Sequence, residues 1–213
     1  MKQEEKSKET KRRVQKSAAK LFSEKGYEQT TLREIIDLSG TSKGAIYHQY
    51  KSKQDILEAI MIEAQSKILV LIKSLRDNNT FLAKEKIMHI VKYLNESITQ
   101  KNLIDAGWVE KIPFSLLDTL RYSIKEFSPL LVDIIKQGVE NKEFSCPRPD
   151  LAAEFMIIYL DIWLDPNIFH WTAQGIGDRV DFLFGIMAGI APGMVSQNDT
   201  GIIKTLLAND MEE

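Results

Sequence analysis

Cysteine is nearly absent: Cys146 is the single one among 213 residues. That excludes an internal disulfide framework and a cysteine-built metal site, and it suits a reducing compartment. Histidine is as scarce. His48, His89 and His170 are isolated, with no H-x-x-x-H or H-E pair, so no metal ion is expected. Neither a G-x-S-x-G elbow, nor a P-loop, nor a dinucleotide fingerprint occurs, so no cofactor and no catalytic activity are expected. The longest nearly apolar run, Phe182 to Val195, has 14 residues and contains three glycines and a proline. A spanning helix needs about 20, so no membrane span is expected. Met1 to Lys20 is charged throughout, so no secretory signal is expected, and the expected location is the cytoplasm. Sustained period-two alternation is also missing, which argues against β-structure.

What is present, 44% hydrophobic and 27% charged residues, fits a globular chain of one large or two small domains. The net charge of −2 is unevenly placed. Residues 1–53 hold 13 Lys/Arg against 7 Asp/Glu, a balance of +6, and the other 160 hold 15 against 23, a balance of −8. A basic head on an acidic body is the footprint of a polyanion bound at one end, although a solvated lysine-rich helix produces the same count.

Apolar spacing is helical throughout. Val14, Ala18, Leu21 and Phe22 recur on one face, and Gly26 stands where a helix stops. Thr31 with Glu34 three residues on has capping-box spacing; Leu32, Ile35 and Ile36 share a face that Gly40 ends. Ser42 offers the next N-cap and carries Ile46 and Tyr50 inward. Two short helices around Ser39-Gly40-Thr41 make a helix-turn-helix over about residues 31–50. From Lys53, a stripe of Leu57, Ile60, Met61, Ala64, Ile68, Leu71, Ile72 and Leu75 continues for about five turns with no glycine or proline. A continuous helix, and not a flexible linker, therefore joins the head (1–53) to the body (54–213). Further helices are expected over 82–100, 115–127, 129–142, 150–164 and 178–190. The six prolines all lie beyond residue 112, mostly at helix starts or in connections. The predicted fold class is all-α.

The helix-turn-helix carries the chemistry. A recognition helix brings small side chains and backbone close to the wall of the major groove. Its leading edge here reads Thr41-Ser42-Lys43-Gly44-Ala45, followed by Tyr47-His48. Glycine inside a short helix costs about 1 kcal/mol relative to alanine, so Gly44 points to a reason other than stability. The hydroxyls of Thr41 and Ser42, the Tyr47 phenol and the ammonium groups of Lys43 and Lys53 are the kinds of group that contact phosphate oxygens. Lys53 also starts a helix whose N-terminal dipole favours an anion. An ordinary helix hairpin with a glycine stop is the alternative.

The stretch Val14 to Ala64 resembles the N-terminal domain of TetR-type transcriptional repressors. The matching residues are Ala18-Ala19-Lys20-Leu21-Phe22, Lys25-Gly26-Tyr27 and Thr30-Thr31-Leu32-Arg33-Glu34-Ile35, then Ser42-Lys43-Gly44-Ala45-Ile46-Tyr47-His48-Gln49-Tyr50 and Lys51-Ser52-Lys53. The resemblance implies that Thr31, Thr41, Ser42, Lys43, Tyr47, His48 and Lys53 hold double-stranded DNA, with Gly44 and Ala45 against base edges. Ile46 and Tyr50 stand where the family usually has leucine and phenylalanine, so the Tyr50 phenol needs a partner. The resemblance further implies a helical body that binds an inducing small molecule and forms a homodimer.

Trp108, Phe114, Tyr122, Trp163, Phe169 and Trp171 are candidates to line an apolar pocket, with Asp118 or Asp161 as polar anchors; core packing is the alternative. The resemblance places the last two long helices at the subunit interface. Leu151, Phe155, Ile158, Ile162, Val180, Leu183, Phe184 and Met187 suit a seam there, with Gly185 and Gly189 allowing close approach, while an internal core is the alternative. The expected function is that of a ligand-responsive, dimeric DNA-binding transcriptional regulator. It would be a repressor released from a near-palindromic operator by an apolar small molecule. A helical carrier for an apolar small molecule, or an orphan DNA-binding protein controlled by a protein partner, fits the same residues.

Overall fold

Caps set the first unit. The computed structural model describes residues 2–96, 113–164, 169 and 172–209, and every described secondary element is a helix. Helix α1 (Lys2–Lys25) begins well before Val14, because its first turns consist mostly of Lys, Glu, Gln and Arg, which favour helix without an apolar face. It ends at Gly26, whose φ of 81° is left-handed and suits glycine. Thr31 and Glu34 form the complete capping box of α2 (Leu32–Ser39). The Glu34 N–H donates to Thr31 Oγ1 (3.3 Å) and the Thr31 N–H to Glu34 Oε2 (2.8 Å). Ser42 caps α3 (Lys43–Gln49) by accepting from the Ala45 N–H at 3.3 Å. Val14, Ala18, Phe22, Ile35, Ile46 and Tyr50 close the core with Ile56, Leu57, Ile60 and Met61 of α4 (Lys53–Asp77). This unit includes α4 as far as Ser66.

The second unit takes Lys67–Glu96 and the chain from Leu116 onward. Its core gathers Ile68, Ile72 and Leu75 of α4 with Ile87 and Ile90 of α5 (Ala83–Glu96). In place of the two separate helices expected over 115–127 and 129–142, the chain runs from α6 (Pro113–Tyr122) through a π turn (Ser123–Phe127) directly into α7 (Ser128–Glu140). Pro129 is therefore not a new start after a connection. It lacks an N–H and crowds the carbonyl four residues back, and the wider turn, closed by the Ser128 N–H on the Ser123 carbonyl, accommodates it. A second π turn (Tyr159–Trp163) follows α8 (Pro149–Ile158), closed by the Leu164 N–H on the Tyr159 carbonyl at 3.0 Å.

Helix α9 (Ala173–Ile190) starts ahead of the expected Asp178, because Thr172 caps it through the Gly175 N–H at 3.1 Å. Helix α10 (Gln197–Asn209) was not anticipated. Glycine and threonine lower its intrinsic propensity, and it is held by burial of Ile203 and an ion pair from Lys204 to Asp181. At Gly138 a Cβ would sit 2.3 Å from the Phe144 ring and 2.8 Å from Ala83 Cβ, so this close approach needs glycine. Lys86 is 3% exposed. Its ammonium donates to the Arg76 carbonyl at the end of α4 (3.2 Å) and to Gln137 Oε1 (2.6 Å), while Gln137 Nε2 donates to the same carbonyl (3.0 Å). Among the described residues no helix is long and apolar enough to cross a membrane.

Candidate nucleic-acid interface

Helix α3 is oriented by what it buries. Ile46 is fully buried and Tyr50 nearly so, which leaves Ser42, Lys43, Gly44, Tyr47 and His48 exposed on the other side. Tyr47 keeps 46% of its surface, and the Lys43 ammonium lies 5.8 Å from its ring centroid, a cation over the phenol face. Gly44 is the informative residue. Its φ is not positive, and a Cβ built there meets nothing within 4 Å. Neither backbone conformation nor packing inside the chain calls for glycine at this position, so the space it leaves faces outward.

Three residues expected on phosphates sit otherwise. Thr41 is buried and its hydroxyl donates to the Ser39 carbonyl (3.4 Å). The exposed Thr31 hydroxyl is engaged on both sides by Glu34, accepting from its N–H and donating to Oε2 at 2.8 Å. The Lys53 ammonium reaches back to the turn before α2, donating to the carbonyls of Tyr27, Thr30 (2.9 Å) and Glu28 (3.4 Å), and it lies 4.1 Å from the Tyr27 ring centroid. An ammonium has three protons, and these carbonyls take them. Lys53 and Thr41 thus hold α3 and the start of α4 in place; they are positioning residues. The carbonyls that claim Lys53 lie 23 to 26 residues away, beyond the reach of local spacing.

Glu34 also pairs with Lys25. The Lys25 ammonium, together with the Thr31 N–H and hydroxyl, pulls its carboxyl down to about 2. The Tyr50 hydroxyl, expected to need a partner, has none among the described residues, and burial pushes it up to about 12. Spacing also gave no hint of Gln49, whose Nε2 lies 3.4 Å from both the carbonyl and the hydroxyl of Ser7 in α1.

Among the described residues, the expected pocket residues do not gather around one cavity. Trp163 packs edge-on to Tyr159 (4.6 Å between centroids) and Phe182 (5.6 Å), and Tyr122 packs on Phe127 (5.5 Å). Phe169 is exposed, Asp118 is exposed beside Arg121 (3.5 Å), and Asp161 is half-buried. Trp108, Trp171 and the Phe114 side chain lie outside the described residues. Recesses of about 350 and 320 Å³ are lined by other side chains, among them Arg76, Asp133 and Gln137 in one and Met88, His89 and Met194 in the other.

Of the expected seam, Leu151, Ile158, Gly185 and Gly189 are exposed, and Phe155, Ile162, Leu183 and Phe184 are half-buried. A Cβ at Gly185 or Gly189 meets nothing within 4 Å. Val180 and Met187 are corrections: both are buried inside their own protomer, on the opposite side of α9 from Phe182, Gly185 and Gly189. Phe182, absent from the expected seam, is 55% exposed on the same side as the two glycines.

Residues 16–60 match the family model described as bacterial regulatory proteins, tetR family, and residues 115–183 match the Tetracyclin repressor-like C-terminal domain. The HTH-type transcriptional repressor KstR2 of Mycolicibacterium smegmatis is 28% identical over 150 residues, covering 67% of this chain and 70% of that protein. YvaF of Bacillus subtilis, an uncharacterized HTH-type transcriptional regulator, is 23% identical over 182 residues, covering 83% and 95%. Among solved structures, a gamma-butyrolactone receptor described as ArpA-like aligns with a TM-score of 0.57 at 19% identity, covering 97% of this chain and 98% of its own. Salmonella enterica GusR aligns at 0.59 and 16% identity over 96% of each chain. At such identities the structures speak for the fold.

Proposed function

The chain belongs to the tetR family of bacterial regulatory proteins, and from that premise we propose a homodimeric repressor that leaves its operator when an apolar small molecule binds the second unit. Regulation of transcription through DNA is the activity of the family; the residues, the dimer and the inducer are the proposal. Gly44 is the observation that carries the DNA contact. Within the chain it is an unexplained cost, and beside a groove wall it is the space that lets α3 approach. Ser42, Lys43, Tyr47 and His48 stand around it with donors for phosphate oxygens, and Ala45 is small enough to meet a base edge. Thr41 and Lys53 contribute by holding this face in position.

A single helix-turn-helix reads few base pairs, so the operator is near-palindromic, with half-sites about 34–36 Å apart or a multiple of that. Exposed Leu151, Ile158 and Phe182, with the open glycines 185 and 189, support an interface through α8 and α9. The Tyr159–Trp163–Phe182 aromatic contacts support an apolar ligand nearby, and a receptor for gamma-butyrolactone with the same fold is a precedent for small-molecule control. A DNA partner also supports a cytoplasmic location.

The test starts with duplexes selected from a random-sequence pool by the purified protein. Selected sites should show two-fold symmetry, and sites without symmetry overturn the dimeric reading. All three tryptophans, Trp108, Trp163 and Trp171, lie outside the helix-turn-helix, and Trp163 and Trp171 belong to the second unit, so their fluorescence reports on binding away from the DNA-contacting helices. Apolar compounds, gamma-lactones among them, should quench it and release DNA, with a coupling of about 5–150-fold. Saturable quenching with no effect on DNA overturns the inducer reading.

A further inference from the structure

Helix α1 extends beyond what its core requires. From Glu4 on, its first buried side chains are Thr10 and Val14, and the family match begins at residue 16. Residues 2–13 nevertheless form regular helix and hold six basic residues against three acidic ones. Of the acids, Glu9 is paired with Arg12 at 3.2 Å, which leaves Lys6, Lys8 and Lys11 exposed and outside every ion pair among the described residues. This charged segment is attached to the recognition helix: Gln49, the last residue of α3, reaches Ser7, and Lys11 follows Ser7 one turn later. Packed helices lie about 8–10 Å apart, and the major groove is about 12 Å wide. A helix held beside the one in the groove therefore lies over the adjoining sugar-phosphate ridge.

Resting on the DNA-binding reading above, we infer that the first three turns of α1 are a second DNA-contacting element. They lay Lys6, Lys8 and Lys11 on phosphates flanking the groove that α3 enters. The partner is the backbone of the same duplex, because the segment is tied to the end of α3 through Gln49 and Ser7 and carries the complementary charge. These lysines add affinity and lengthen the footprint without adding sequence preference, since groups on phosphates are blind to base identity. The Gln49–Ser7 hydrogen bonds set the register between the two elements.

The experiment uses the full chain and a duplex that the wild-type protein has selected. Lys6, Lys8 and Lys11 are changed together to glutamine in one variant and to arginine in another; all three are exposed, so unchanged circular dichroism is expected. The glutamine variant should lower the slope of log affinity against log salt by about 0.9 for each phosphate no longer neutralised, a total of about two or more. It should also lose hydroxyl-radical protection at the outer edges of the footprint while selecting the same core sequence. The arginine variant should keep both. Gln49→Ala should weaken the outer protection without removing a charge. If the wild type binds its duplex and the glutamine variant keeps its slope and its outer protection, the inference is overturned and the DNA reading stands. If the wild type selects no duplex at all, the DNA reading itself has failed.

Discussion

The Tyr50 hydroxyl is buried with no hydrogen-bond partner among the described residues. Leaving such a group unsatisfied costs about 1–3 kcal/mol. Tyr50→Phe should therefore raise the thermal midpoint or leave it unchanged, and a fall of several degrees in a calorimetric scan would contradict the geometry. Gly44 separates two properties that usually move together. Nothing in the chain opposes a methyl group there, and alanine favours helix by about 1 kcal/mol, so Gly44→Ala should stabilise the protein while weakening operator binding. A variant that is more stable and binds as tightly as wild type removes the case for close approach. Glu34 sets a pH signature. Its carboxyl is held near 2 in the folded protein against an ordinary 4.5, so its contribution is complete above about pH 4.5 and fades as pH falls towards 2. Glu34→Gln should flatten the acid limb of stability against pH in urea titrations.

At the scale of helices, the legible features were those decided by neighbours in sequence. Thr31 with Glu34, Ser42 and the glycines 26 and 40 act over one turn of chain, and the structure forms the caps and stops that spacing predicts. Features decided across the fold were not legible. Pro129 reads as a helix start because a proline inside a helix is normally excluded; the π turn that tolerates it leaves no local mark. Helix α10 looks weak in isolation and depends on Ile203 and Asp181. Lysines read as solvated, so neither the burial of Lys86 nor the inward turn of Lys53 could be anticipated. Gly138 looks like an ordinary helix glycine, yet the Phe144 ring occupies the place of its side chain. Gly138→Ala should lose about 1–3 kcal/mol in urea denaturation, in contrast to Gly44→Ala.

For the whole molecule, the proposed dimer makes specificity depend on assembly. Phe182→Asp, at an exposed side chain of α9, should leave the fold intact and give a monomer by light scattering. A monomer offers one helix-turn-helix, so its specific affinity should collapse while weak, salt-sensitive binding persists. A variant that stays dimeric would move the seam elsewhere. Spacing alone did not tell which side of α9 faces out: Met187, expected in a seam, is buried inside the protomer, while Phe182, which had no place in the expected seam, is exposed. The knot around Lys86 bears on how the chain reaches its native state. The oxygens that receive its ammonium come from residues 10 and 51 positions away, so they arrive only when distant segments have met. Until then the ammonium must either stay hydrated, holding α5 off the core, or shed its water with nothing in return. That makes docking of α5 a late, uphill event, and Lys86→Met should speed the refolding limb of a stopped-flow chevron even where equilibrium stability is unchanged.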